Sequence, residues 1–208
     1  DFWQNSPRAN AGFIALILVI QIAVHLPMLH LSPRGMHVWR QTVGHAAIQN
    51  YANEDDRFWF PRADIRMTTD DTGAIYHELP LTYWLAAKVY RLGWLDINTS
   101  AHLMQLISNL LLIPGAFYTL LALGATRQRC ALFTFLISFS PLYLAYAPLL
   151  EPNLLGLSFF LTGTALLLPS IAMGRYRLSF LLGTLAMILA PTATPTFLFF
   201  GLPLALYA

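Results

Sequence analysis

Apolar residues run almost unbroken over 11–29 and, after a polar interval, fill most of the chain from 99 onward. The first run, AGFIALILVIQIAVHLPML, reaches the roughly 20 helical residues needed to cross about 30 Å of hydrocarbon. Five more spans are predicted at 99–124, 131–150, 154–173, 178–190 and 195–207, punctuated by Gly124, Pro141, Pro148, Pro191 and Pro195. The fifth is short, and the third carries two interior prolines. Within the polar interval 30–98, Trp39, Val43, Ala46, Ala47 and Tyr51 recur at helical spacing, with Gln41, His45 and Gln49 on a polar line. That pattern predicts a helix over 38–53. A second, over 80–94, opens on Pro80, carries Tyr83, Trp84, Tyr90 and Trp94, and closes near Gly93. It is too short to span a membrane. Its aromatics with Lys88 and Arg91 suit the headgroup layer, and both short helices are expected to lie along the membrane surface.

Composition agrees with the pattern: 57% of the 208 residues are hydrophobic, 11% are charged, and mean hydropathy is +0.56. The fold class is therefore read as all-α integral membrane, one helical domain over 1–208 built as a multi-span bundle with a long first loop. The chain opens on Asp1 and stops at Ala208 inside an apolar run, so it is read as part of a longer one. A net charge of +2 is too small to suggest nucleic acid as a partner. The lone Cys130 excludes an internal disulfide framework and reads as a small buried residue. Arginines set the expected orientation. Arg8, the pair Arg127 and Arg129, and the pair Arg175 and Arg177 all fall on one side if the spans alternate. The positive-inside rule makes that side cytoplasmic, so the 30–98 loop is expected on the outer face.

The loop concentrates the chemistry. His37, Arg40, Gln41 and His45 open it; Glu54, Asp55 and Asp56 form an acidic turn; Asp64, Asp70 and Asp71 follow, then Tyr76, His77 and Glu78. Proton transfer from a hydroxyl needs a carboxylate or imidazole within reach, and a phosphate leaving group needs a fixed cation such as arginine. Asp70, Asp71, His77 and Glu78 could bind a divalent cation, though no spacing reproduces a known ligand motif; a solvated turn is the plainer reading. Arg62 and Arg66 read as surface arginines beside acids. Gln21 and His25 share a helical face within the first span, and a packing role suits them.

The order His37-x-Trp39-Arg40-Gln41, a short helix, an aromatic-Pro61-Arg62-x-Asp64 stretch, and Glu78-x-Pro80-Leu81-Thr82-Tyr83-Trp84-Leu85 resembles the first external loop of the glycosyltransferase-C superfamily. Within it, the protein O-mannosyltransferase and aminoarabinose transferase type is the most similar. That resemblance implies a bacterial-type inner-membrane enzyme that moves a sugar from a polyprenyl phosphate to an acceptor at the outer face, with inversion. It implies His37 at the position of the general base, where relatives carry an acid. Imidazole could serve there, Glu78 or Asp71 could supply the carboxylate, or catalysis could be lost. Arg40, with Gln41, would hold the donor phosphate; paired with an acid such as Asp64, Arg40 would instead be structural. His45, Asp64, Asp71, Tyr76, His77 and Glu151 are further loop and rim contributors, Glu151 standing where relatives show an acidic pair. The lysine expected beside Pro191 is absent. The rival reading is a catalytically degenerate relative serving as a structural subunit of a larger membrane complex. A transporter or channel is disfavoured, because the spans hold no line of ionisable groups.

Overall fold

The structure, a computed structural model, describes residues 7–35, 37–63, 73, 80–174, 178–194 and 196. These fold into helices in the order α1 (Pro7–His25), a 3₁₀ turn (Leu26–Met28), α2 (Val38–Asn53), α3 (Leu81–Arg91), α4 (Ile97–Ala122), α5 (Arg127–Ser138), α6 (Pro141–Tyr146), α7 (Pro152–Ala172) and α8 (Leu178–Ala193). Three stretches, Arg8–Met28, Ile97–Ala122 and Pro152–Ala172, are long and apolar enough to cross a membrane. The expected span 195–207 lies outside the described residues.

The third expected span is not one helix. Pro141 has no N–H to return to the preceding turn, so α5 stops at Ser138 and the chain restarts at α6. Ser140 makes the restart: its hydroxyl accepts from the Tyr143 amide and donates to the Ile137 carbonyl. The fifth boundary also shifts, because α8 continues through Pro191 to Ala193 rather than ending at 190. α4 begins at Ile97, two residues before the expected 99, since Asp96 accepts from the Thr99 amide and hydroxyl as a cap.

α4 and α7 form the spine, with α8 against α7 and α1 against α4 and α5. Ile14 and Ile17 of α1 pack with Ile113 and Phe117 of α4 and with Cys130, which is fully buried as expected. α7 and α8 meet through glycines: a Cβ at Gly183 would come within 3.2 Å of the Gly163 carbonyl oxygen, and one at Gly163 within 3.1 Å of the Gly183 carbonyl oxygen. A third core joins α2 and α3 to the N-terminal half of α4, with Ala47, Ile48, Tyr51, Tyr83, Ala86, Ala87, Ala101, Met104 and Leu150. The polar line expected on α2 splits, with Gln41 and His45 buried and Gln49 exposed. Trp39, counted with the apolar face, is 62% exposed.

Ion pairs close the turn after α2. Arg91 donates to the Tyr51 and Ala52 carbonyls and, with Lys88, to Asp56, so cations of α3 meet the C-terminal end of α2. Hydrogen bonds from the Arg57 side chain and backbone hold the Asp55 carboxyl down at about 2. Lys88, then Arg91, lower that of Asp56. Depressed carboxylate pKa values favour the fold above the ordinary 3.8, and the contribution is lost as pH falls through the folded value. An acid titration followed by tryptophan fluorescence is therefore expected to show this turn loosening between about pH 4 and pH 2. Asp55→Asn should remove most of the step; an unchanged titration curve would refute the assignment.

Candidate functional site

α4 builds the site before any loop residue enters it. His102, Gln105 and Asn109, at intervals of three and four, form a buried polar ladder on a largely apolar span whose other buried polar residues are the small Ser100, Ser108 and Thr119. Each rung grips the connector that runs from α6 to α7. Asn109 donates to the Ala147 carbonyl at 3.1 Å and accepts from the Tyr143 hydroxyl at 2.7 Å. Gln105 donates to the Glu151 carbonyl at 3.2 Å, and its side-chain oxygen faces the Glu151 amide at 3.4 Å. A ring nitrogen of His102 lies 2.7 Å from the Pro148 carbonyl. Non-helical backbone at this depth needs such partners.

Held in this way, Glu151 meets Arg40 across the gap between α7 and α2, with Nη1 and Oε2 3.1 Å apart. Glu151 retains 10% side-chain exposure and Arg40 26%, so the pair is screened less than a surface pair. The acid beside Arg40 is thus Glu151; Asp64, the partner considered from sequence, lies outside the described residues. Arg62 pairs with Asp55 at 3.5 Å, as the plain reading of that arginine has it.

His37 completes the rim. It is the one described non-glycine residue with positive φ, at 54°, and its carbonyl accepts from the Arg40 and Gln41 amides at 3.0 and 3.1 Å as α2 begins. A left-handed backbone costs a residue with a Cβ about 1–2 kcal/mol, and it turns this imidazole outward to within 3.3 Å of the Tyr146 hydroxyl.

Together His37, Arg40, Tyr143, Tyr146, Ala147, Glu151, Asn153, Leu154 and Leu157 line a cavity of about 250 Å³. Tyr143 and Tyr146 also line a shallower apolar groove of about 800 Å³ with Phe133, Leu136, Ile137, Ser140 and Leu142. A chamber holding the Arg40–Glu151 pair and an apolar trough therefore share one aromatic wall, an arrangement suited to a ligand with an ionic head and a hydrocarbon tail.

Not every expected residue reaches this cavity. Gln41, expected at a phosphate, is buried and donates to the Arg34 carbonyl at 3.0 Å, holding the approach to His37. His45 is also buried, its Nδ1 2.8 Å from the Gln41 carbonyl and its ring beside His102. Asp71, Tyr76, His77 and Glu78 lie outside the described residues, as does Asp70. Among the described residues no group of three or more His, Cys, Asp or Glu is placed to hold a metal ion.

Sequence reading missed the ladder and the two tyrosines. The spacing 102, 105, 109 was a usable signal, being one polar stripe on an apolar helix. Nothing local marked Tyr143 or Tyr146.

Neither a family model, nor a curated protein, nor a solved structure matches this chain.

Proposed function

We propose that the cavity binds a polyprenyl-phosphate-linked sugar and that the chain transfers the sugar to a hydroxyl acceptor on the outer face of a membrane. The observation that carries this reading is the junction of the Arg40–Glu151–His37 chamber with the apolar groove through Tyr143 and Tyr146. The cavity also lies at the end of the bundle away from Arg127 and Arg129: Phe13 of α1 and Gln128 line one pocket, the Gln21 side chain donates to the Ser138 carbonyl at the far end of α5, and Glu151 opens α7 beyond it.

In the proposed reaction the polyprenyl chain lies in the groove and its phosphate meets the Arg40 guanidinium, a planar fork suited to that group. His37 accepts the acceptor's hydroxyl proton as its oxygen attacks the anomeric carbon. The bond from that carbon to the phosphate oxygen breaks with inversion, leaving polyprenyl phosphate with its charge at Arg40. Glu151 sets the guanidinium plane. Glu78 is the second candidate base.

The test is transfer of radiolabelled sugar from native lipid extract by the full chain in nanodiscs. His37→Ala is expected to slow transfer at least about a hundredfold, the lower range for loss of a general base. Arg40→Ala should abolish saturable donor binding. Transfer undiminished in both variants would overturn the reading.

One observation favours a second reading, a structural subunit of a larger membrane complex: Glu151 already engages the cavity's arginine. Stoichiometric co-purification with an assembly, together with no sugar transfer by the wild-type chain, would select it.

A further inference from the structure

His102 lies in the second turn of α4 and is 7% exposed. Both ring nitrogens meet carbonyl oxygens, Nδ1 that of Pro148 at 2.7 Å and Nε2 that of Leu31 at 2.9 Å. Carbonyl oxygens only accept. A neutral imidazole has one N–H, so it can hold one of these oxygens while turning a lone pair towards the other. An imidazolium, with two, holds both.

The two oxygens belong to different walls of the cavity. Leu31 begins the connector that leads to His37, and Pro148 stands three residues before Glu151. Gln41 ties the first connector to α2, and Gln105 and Asn109 tie the second to α4. His102 bonds to both.

We propose that His102 is a proton-dependent clamp: with its second ring proton it joins the connectors that carry His37 and Glu151, and on losing that proton it releases one of them. The clamp concerns the walls of the cavity and stands whether or not the cavity takes a lipid-linked sugar.

The groups around it are consistent with one charge at this place. From α2, His45 presents its ring 6.4 Å away, edge on. Burial foremost lowers the His45 pKa, against its bond to the Gln41 carbonyl, and a charge on His102 lowers it further. The second connector brings Glu151, engaged by Arg40 of α2. The first connector carries His30 and Arg34, both exposed, and α3 contributes Tyr83 to the adjoining core. On α4 itself, Asp96 caps the first turn.

Two readouts on the full chain in nanodiscs test the clamp. With ring-¹⁵N histidine, the His102 signals, assigned by their loss in His102→Gln, should show two protonated nitrogens on the acid side of a single pH step and one on the alkaline side. Hydrogen exchange over 31–37 and 147–151, corrected for intrinsic rates, should quicken in at least one segment across that step. About tenfold is expected, the equivalent of about 1.4 kcal/mol. The step should persist in His45→Gln. Three results would each overturn the proposal: a single protonated nitrogen at every pH with both segments protected, exchange with no step, or a step that survives in His102→Gln and vanishes in His45→Gln. Should His102→Gln fail to fold, loss of the same signals in His102→Asn supplies the assignment.

Discussion

Gly44→Val is expected to destabilise the fold by about 3 kcal/mol, the upper part of the usual cost of overpacking a core. Gly44 sits on the face of α2 pressed against α3 and the connector. A Cβ built there falls 2.8 Å from Leu150 Cδ2 and 2.8 Å from Tyr83 Cε1. Both neighbours are fully buried, and the tyrosine ring is closed in by Ala47, Ala86 and Ala101 of the same core. Valine would add two more methyl groups, and the displacement would reach the cavity because Leu150 adjoins Glu151. Denaturant unfolding in mixed micelles measures the loss, and Gly44→Ala should fall between wild type and valine. A valine variant within about 0.5 kcal/mol of wild type would show that α2 does not pack as described.

Asn109→Leu is expected to cost about 2–4 kcal/mol. The substitution keeps the volume similar but removes the donor to the Ala147 carbonyl and the acceptor of the Tyr143 hydroxyl. Asn109 is fully buried and Ala147 is 1% exposed. A buried polar group left without its partner costs about 1–3 kcal/mol, whereas removing both partners is nearly neutral. Tyr143→Phe in the Asn109→Leu background should therefore recover about 1 kcal/mol of the loss. Strict additivity of the two changes would mean that Tyr143 and Asn109 do not interact.

Local pattern carried the helices well and their partners poorly. The helix over 38–53 emerges at Val38–Asn53, because its period is written in side chains that contact one core. The apolar runs near 11–29, 99–124 and 154–173 emerge as the three membrane-length stretches because length and apolar composition alone define them. The run 131–150 misled by its composition, which remains apolar across a break set by Pro141 and the Ser140 cap. The site was legible in part. Arg40, His37 and Glu151 were each singled out, and the structure brings them to one cavity. That Arg40 pairs with Glu151, 111 positions along the chain, follows from how α2 docks on α3 and α4, which no local spacing encodes. Gln41 and His45 were expected to face a ligand, because a polar line on an amphipathic helix reads as its open side. Here that face meets the Arg34 carbonyl and His102.

The interruption at Phe139 and Ser140 imposes an order of assembly. At 12 residues α5 rises about 18 Å, well short of a bilayer's hydrocarbon thickness. The backbone beyond it reaches α7 with the carbonyls of Ala147, Pro148 and Glu151 bonded by side chains of the α4 ladder. These backbone partners are available to the connector only once α4 is in place beside it. α4 leaves the ribosome first, so the N-to-C direction of synthesis supplies the template before the piece that needs it. A circular permutant that moved 127–151 ahead of 97–122 would present the broken segment to lipid with nothing to hold its backbone.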